Sequence, residues 1–340
     1  MALPVLERVE RRRRRRRRAP PLAILALALV LAGGAGAGLY LTLHSSSSPT
    51  KTAGRPSTPP PSAVPRPAAT RIPPTLVVGP RPLAPHRFTP PLSARAAILV
   101  DARTGRVLWA LRPHLRRPIA STTKIMTAVL ALQKLRPRDS VTIDPSVPRA
   151  APFREGLVAG QRVRAWKLFY GLLLFSGNDD ALALAIGTAG SRGAFIGEMN
   201  REARRLGLRD THFSTPSGVV DRDNYSTAWD MAALTRYALR NPRFRAIVRT
   251  RVKHVRWAAP TFEKVYLNKN ALLRQYRGAD GVKTGWTTEA GHCLVASAQR
   301  GGAHLIAVVL AAPNRYNDAA RLLSYGFRLP YVARVTRTSS

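Results

Sequence analysis

The chain has 340 residues, 45% of them apolar and 7% aromatic, which is enough to bury at least one sizeable core and excludes a wholly disordered protein. The formal net charge of +37 suggests a nucleic-acid-binding protein, but no zinc-finger spacing, aromatic RNP-like strand or basic zipper accompanies it. Because bulk charge alone is weak support, we expect no nucleic-acid partner; anionic lipid headgroups or other anionic polymers would attract the same charge.

The N-terminus combines a basic block with a long apolar run. Residues 1–18 end in eight consecutive arginines, and residues 19–43 form an uncharged run of 25 residues, long enough to cross a bilayer as a helix. Positive charge before such a run keeps the N-terminus in the cytoplasm, so the sequence predicts a single-pass membrane anchor with the remaining chain extracytoplasmic. The rival interpretation is a cleaved signal that leaves a secreted protein, because residues 35–37 resemble a cleavage site.

Composition changes again after the apolar run. Residues 44–93 are rich in Ser, Thr and Pro and predict an extended, semi-rigid linker that cannot bury a core. Residues 96–100 and 107–109 then predict two strands around a glycine-containing turn. We therefore place a folded domain at residues 94–330 and treat residues 331–340 as a tail.

The folded domain opens and closes with predicted strands around a helical middle. Residues 166–175 and 181–186 are apolar and helix-prone, and Thr227 with Asp230 has the spacing of a capping box before a further helix. This order predicts an α+β fold in which the first and last segments share one antiparallel sheet. The closing strands are predicted over residues 294–298 and 304–310.

Ser121 and Lys124 have the spacing of a nucleophile and its base. They lie three residues apart at the predicted start of a helix, so their side chains share one face. A serine attacks when a neighbouring base takes its proton, and a lysine can be that base only when burial or positive charge lowers its pKa. The alternative is a helix cap followed by a solvated lysine, because such tetrapeptides are common.

Ser176-Gly177-Asn178 forms a short polar loop between two helix-prone stretches. Such a loop can project a hydroxyl and an amide into a cleft. The alternative is an ordinary interhelical turn, which glycine and asparagine both favour.

Lys283-Thr284-Gly285-Trp286 precedes the closing strands. The pattern predicts a strand edge with a permanent cation, a hydroxyl and an exposed backbone, which would meet a substrate carboxylate with charge-assisted hydrogen bonds. The alternative is a solvent-facing edge strand protected by its lysine.

The three motifs are far more specific together than alone, because each occurs once, in this order, on a separate predicted element. Ser-x-x-Lys, Ser-x-Asn and Lys-Thr-Gly are the combination of penicillin-binding proteins and class A β-lactamases. The chain resembles the low-molecular-weight serine D-alanyl-D-alanine carboxypeptidases of the penicillin-binding family. The segments that carry the resemblance are residues 118–127, 170–181, 216–218, 225–228, 268–270, 272–273 and 280–285.

The resemblance implies a β-lactamase/DD-peptidase-like α+β fold, with a five-stranded antiparallel sheet flanked by helices and an active site beside a helical subdomain. It implies a hydrolase that removes the terminal D-alanine from peptidoglycan peptide stems and is inhibited by β-lactam antibiotics. The cytoplasmic membrane and anionic wall polymers are the further expected partners. The linker would then be a spacer across the wall.

The resemblance also implies residue roles. Ser121 would form an acyl-enzyme, Lys124 would accept its proton, and Ser176 would relay a proton to the leaving D-alanine. The N–H groups of Ser121 and Trp286 would form the oxyanion hole. Trp286 stands where some relatives have histidine, which affects substrate preference more than a backbone role. The expected substrate-binding residues are Asn178, Lys283, Thr284, Gly285 and Trp286.

Two rival functions remain open. A β-lactamase-type hydrolase would need a glutamate that activates water, and Glu263 superficially resembles it but is spaced one residue too far from its motif. A non-catalytic cell-wall-binding module is supported by charge alone and disfavoured by the intact motifs.

The histidines are scattered, so we expect no metal and no cofactor. The single cysteine, Cys293, excludes an intrachain disulfide and has the apolar neighbours of a buried thiol.

Overall fold

The computed structural model describes residues 76–78, 90–219, 223–257, 261–330 and 332. The predicted basic segment, the membrane anchor or signal, most of the linker and nearly all of the tail lie outside the described residues. Within the described ranges, no helix is both long and apolar enough to span a membrane.

The described residues form twelve strands and eight α-helices. The strands are β1 (Val77–Val78), β2 (Ala96–Asp101), β3 (Arg106–Leu111), β4 (Arg117–Pro118), β5 (Ser140–Thr142), β6 (Arg162–Arg164), β7 (Tyr225–Ser226), β8 (Val252–Arg256), β9 (Glu263–Leu267), β10 (Ala279–Thr287), β11 (Gly291–Arg300) and β12 (Ala303–Leu310). The helices are α1 (Lys124–Lys134), α2 (Ala165–Tyr170), α3 (Asn178–Ala189), α4 (Arg192–Arg205), α5 (Ala228–Ala238), α6 (Pro242–Val248), α7 (Leu272–Gln275) and α8 (Arg315–Arg328). Short 3₁₀ turns cover Ala120–Thr123 and Val147–Arg149, and a π-helical turn covers Gly171–Phe175.

The main sheet has the order β1-β3-β2-β12-β11-β10, in which the five strands from β3 to β10 pair antiparallel. The predicted α+β fold with a five-stranded antiparallel sheet is confirmed. The first and last strands of the domain meet where β2 pairs with β12. The parallel edge strand β1 was not predicted; it lies inside the segment interpreted as linker, and two residues are too short to show a strand pattern.

The sheet is buried on both faces, which explains why its central strands are almost continuously apolar. Ile98 and Val100 of β2 belong to a core shared with α1 and α5, whereas Leu99 faces a second core built with α8. Alternate residues of one strand thus point to opposite faces. At the start of α5, Thr227 Oγ1 accepts a hydrogen bond from the Asp230 N–H at 3.1 Å, as the capping-box spacing predicted.

Helix α8 lies against the sheet at Gly326. A Cβ atom at this position would lie 2.7 Å from Leu305 Cδ1 and 2.8 Å from Leu99 Cδ2. We expect Gly326→Ala to lower the free energy of unfolding by about 1–2 kcal/mol, because overpacking a dense core costs more than the helix gains from alanine. Urea denaturation of the purified protein measures the change.

Gly193→Ala is the matched control, since Gly193 also lies in a helix but an added Cβ there meets nothing within 4 Å. This control should not be destabilised. Equal behaviour of the two variants would show that α8 does not pack tightly at Gly326.

Candidate active site

The candidate site lies where the edge strand β10 passes the 3₁₀ turn that precedes α1. A Cβ at Gly285 would lie 2.9 Å from the Ile119 carbonyl oxygen and 3.2 Å from the Ser121 nitrogen. Only glycine therefore lets β10 approach the backbone of the turn so closely. This approach brings the Lys-Thr-Gly motif beside the Ser-x-x-Lys motif.

Ser121 and Lys124 are in direct contact, as their spacing predicted. Lys124 Nζ donates to Ser121 Oγ at 2.9 Å, to Asn178 Oδ1 at 2.7 Å and to the Ser217 carbonyl oxygen at 3.1 Å. Lys124 is fully buried. Burial lowers its pKa to about 7, and the positive charge of Lys269 acts in the same direction. A neutral amine is thus available beside the serine at neutral pH.

Ser176 and Lys283 form a second contact above the same turn. The Ser176 backbone ends the π-helical turn with φ of 74°, a left-handed conformation that turns the chain toward β10. Lys283 Nζ donates to Ser176 Oγ at 2.9 Å and to the Thr284 carbonyl oxygen at 3.0 Å. Lys283 is only 1% exposed, and burial, followed by the charge of Lys124, holds its pKa well below the usual range. This differs from the permanently charged strand-edge lysine that we expected.

A cavity of about 650 Å³ opens over these contacts. The two lysines lie beneath its wall and reach it through Ser121 and Ser176. The structure therefore brings all eight predicted site residues to one place. Those that line the cavity are Ser121, Ser176, Asn178, Thr284, Gly285 and Trp286.

Comparison with known proteins agrees with this geometry. The family model for D-alanyl-D-alanine carboxypeptidase matches residues 84–314. The chain belongs to this family. It is 38% identical over 259 residues to the D-alanyl-D-alanine carboxypeptidase of Streptomyces sp. strain K15, covering 71% of this chain and 89% of that protein. It is 36% identical to DacA of Escherichia coli K12, covering 70% of this chain and 62% of that protein.

Solved structures show the same relationship. The Streptomyces K15 DD-transpeptidase matches with a TM-score of 0.67 and 35% identity, covering 71% of this chain and all of that one. The D-alanyl-D-alanine carboxypeptidase of Mycobacterium tuberculosis H37Rv matches with a TM-score of 0.68 and 32% identity, covering 72% and 95%. The predicted family, fold and enzyme class, a serine-type carboxypeptidase, are confirmed.

Arg315, which the sequence analysis missed, also lines the cavity of this carboxypeptidase-family protein. It begins α8, and its guanidinium donates to the Gly285 carbonyl oxygen at 3.1 Å. No motif spacing marks it, because it reaches the site only through the pairing of β12, β11 and β10.

Glu263, considered as a β-lactamase base, instead has an exposed carboxylate that contacts His254 at 3.0 Å and does not line the cavity. Cys293 is buried, and burial raises the pKa of its thiol to about 11.

The carboxyl groups of Glu155 and Asp180 are buried next to the Ser-x-Asn loop. Within the described residues, no N–H or O–H group donates to either carboxyl oxygen of Asp180, which instead meets the carboxyl of Glu155. Glu155 Oε1 already accepts from Lys264 Nζ at 3.0 Å and from the Tyr266 hydroxyl. Burial first, and then Glu155, raises the pKa of Asp180 well above its usual range. The raised pKa favours the protonated form of Asp180, whose carboxyl can then donate to Glu155.

Substitution of Asp180 tests this shared proton. Asp180→Asn keeps a donor toward Glu155, whereas Asp180→Ala leaves a buried carboxylate oxygen unpaired and should cost about 1–3 kcal/mol of unfolding free energy. The wild-type free energy of unfolding should also fall relative to Asp180→Asn as pH rises above about 4, because the native state then holds a proton that the unfolded state has released.

Urea denaturation at several pH values measures both effects. A wild-type protein that gains stability over Asp180→Asn as pH rises would mean that Asp180 is ionised in the native state.

Proposed function

We propose that the chain removes the terminal D-alanine from peptidoglycan peptide stems through an acyl-enzyme on Ser121. The observation that carries the proposal is the 2.9 Å contact between Ser121 Oγ and Lys124 Nζ, an amine whose pKa is lowered to about 7 by burial. Such a base can take the serine proton at neutral pH. The names of the relatives, D-alanyl-D-alanine carboxypeptidase and DD-transpeptidase, support the substrate.

In acylation, Ser121 Oγ attacks the carbonyl carbon between the two D-alanines while its proton passes to the neutral Lys124. The developing oxyanion accepts hydrogen bonds from the N–H groups of Ser121 and Trp286. Collapse of the intermediate breaks the peptide bond and expels D-alanine, whose amine receives through Ser176 the proton that Lys124 took from Ser121. The contact of Ser176 with Lys283 supports this relay. Water then hydrolyses the ester and regenerates Ser121.

The C-terminal carboxylate of the substrate is held at the β10 end of the cavity. Thr284 offers a hydroxyl there, Gly285 keeps the backbone accessible, and the guanidinium of Arg315 supplies positive charge, while the buried Lys283 bonds to Ser176 behind the cavity wall. Asn178 binds the substrate backbone from the opposite wall. Its side-chain N–H group now donates to the Pro152 carbonyl oxygen, a bond that the substrate would replace.

β-Lactam antibiotics acylate the same serine and act as inhibitors.

We also propose that the protein works outside the cytoplasmic membrane. It is either attached to the membrane by residues 19–43 or secreted, and anionic wall polymers are its further partners. The charge supports this: residues 91–340 contain 40 Lys and Arg against 16 acidic residues.

The decisive experiment is incubation of the purified protein with a pentapeptide that ends in D-Ala-D-Ala, followed by mass measurement of the product. We expect loss of one alanine. Ser121→Ala and Lys124→Arg should abolish this loss and the labelling by a fluorescent penicillin, because the first removes the attacking oxygen and the second leaves a guanidinium that cannot accept a proton.

Lys134→Arg is the matched control for Lys124→Arg. It lies at the other end of α1, and arginine can keep its exposed ion pair with Glu198. This variant should retain activity. Wild-type labelling of Ser121→Ala would show that another residue is acylated, and catalytic consumption of penicillin would favour a β-lactamase.

The pH dependence of acylation follows from the lowered pKa of Lys124. Because only the neutral amine accepts the proton, kcat/KM should rise with pH, with a midpoint of about 7, and should fall about tenfold for each pH unit below it. Lys269→Gln removes a positive charge that lowers this pKa, so it should move the midpoint to higher pH. A flat profile across neutral pH would remove Lys124 from the role of base.

A further inference from the structure

A second cavity, of about 860 Å³, adjoins the active-site cavity. Pro152, Asn178 and Val219 line both of them, so the two share a wall at the Ser-x-Asn motif. No β10 residue lines the second cavity, which lies on the side of Asn178 away from the Lys-Thr-Gly strand. It is therefore open to a part of the substrate that the carboxylate-binding end of the first cavity does not hold.

Among the residues that the structure describes, no acidic side chain lines this second cavity, whereas three arginines do: Arg149, Arg154 and Arg192. They come from separate places in the chain, namely a 3₁₀ turn, the loop after it and the start of α4. Among the described residues, none of the ion pairs involves them. The charge of Arg149 also acts on Asp144, but that carboxylate already accepts hydrogen bonds from Ser146. Arg154 donates to the Pro148 carbonyl oxygen, a neutral partner that does not compensate its charge. The three positive charges can therefore still attract an anion.

The direction of the bound peptide connects the two cavities. With its terminal carboxylate near Thr284 and Arg315 and its scissile carbonyl at Ser121, the substrate must continue on its N-terminal side either over Asn178 or along the end of β10. In the turn that follows β10 lies Glu289, an exposed carboxylate on the rim of the first cavity. An upstream carboxylate would be repelled there and attracted by the arginines.

We propose that the arginine cavity binds a carboxylate that the substrate carries on the N-terminal side of its D-Ala-D-Ala pair. The inference rests on the proposed function and adds a substrate class to it: acidic stem peptides rather than amidated ones. Guanidinium groups suit this ligand because they form bidentate hydrogen bonds with carboxylates. Since the three side chains are exposed, the preference should be modest and should weaken as salt screens it.

Two matched peptides test the inference. Both end in D-Ala-D-Ala; one carries a γ-linked D-glutamate with a free carboxylate upstream, and the other has an amide in place of that carboxylate. For the wild-type full chain at low ionic strength, we expect kcat/KM about fivefold higher for the acidic peptide, mainly through a lower KM. Added salt should bring the ratio toward one.

The variant that removes the site combines Arg149→Gln, Arg154→Gln and Arg192→Gln. This variant should lose the preference for the acidic peptide. Because the result is the ratio of kcat/KM for the two peptides, a general change in activity does not affect it. Arg243→Gln is the control, since Arg243 is an exposed arginine of α6 that lines neither cavity; it should keep the preference. Cooperative thermal unfolding checks that each variant is folded.

The outcomes separate the inference from the proposed function. Equal turnover of both peptides by the wild type would overturn the arginine site and leave the carboxypeptidase activity standing. If the triple variant still prefers the acidic peptide, the preference comes from the net positive charge of the protein, and the arginine site is also overturned. Hydrolysis of neither peptide would overturn the proposed function itself, and the substrate class with it.

Discussion

The site depends on burying the Lys124 amine without a carboxylate partner. In water an ammonium ion is fully hydrated, and here burial against Ser121, Asn178 and a backbone carbonyl favours the neutral form. The same burial links catalysis to stability. Between pH 7 and the ordinary lysine pKa of 10.5, the unfolded state binds a proton that the native state does not hold, so stability rises with pH across this range. For Lys124, therefore, a rise in pH favours both the neutral base and the contribution of this residue to stability.

The two acids directly after Asn178, Asp179 and Asp180, act on the Lys124 amine, because negative charge on either of them raises its pKa. The carboxylate of Asp179 accepts hydrogen bonds from the backbone N–H groups of Glu155, Gly156 and Leu157, which ties the loop that forms one cavity wall to the start of α3. Asp180 avoids charge by sharing its proton with Glu155. An ionised Asp180 would raise the pKa of Lys124 and reduce the fraction of neutral amine. Asp179 thus positions the loop, and protonation of Asp180 limits the negative charge that acts on Lys124, whose pKa stays low because of burial.

Much of the site could be predicted because its chemistry is encoded in short spacings. Ser121 and Lys124 meet across one helical turn, and Thr227 caps α5 as its partner three residues later indicated. Features that arise only from tertiary contacts were not predictable. Arg315 reaches Gly285 because β12, β11 and β10 pair side by side in the sheet. Glu155 meets Asp180 because the loop folds back over the start of α3. Burial of Lys283 was also hidden, since an edge strand gives no sign that a neighbouring loop covers it.

A bound substrate affects the pKa of Lys124 in the opposite direction from burial. A peptide brings its own carboxylate into a cavity where negative charge would raise the pKa of Lys124 and protonate the base at the moment it is needed. Arg315, at the β10 end of the cavity, offers a guanidinium that can neutralise this carboxylate away from Lys124. Lys283 is buried and already bonded to Ser176, so its amine alone is poorly suited to the task. The separation of the permanently charged arginine from the buried lysines therefore allows one cavity to bind an anion and keep a neutral amine.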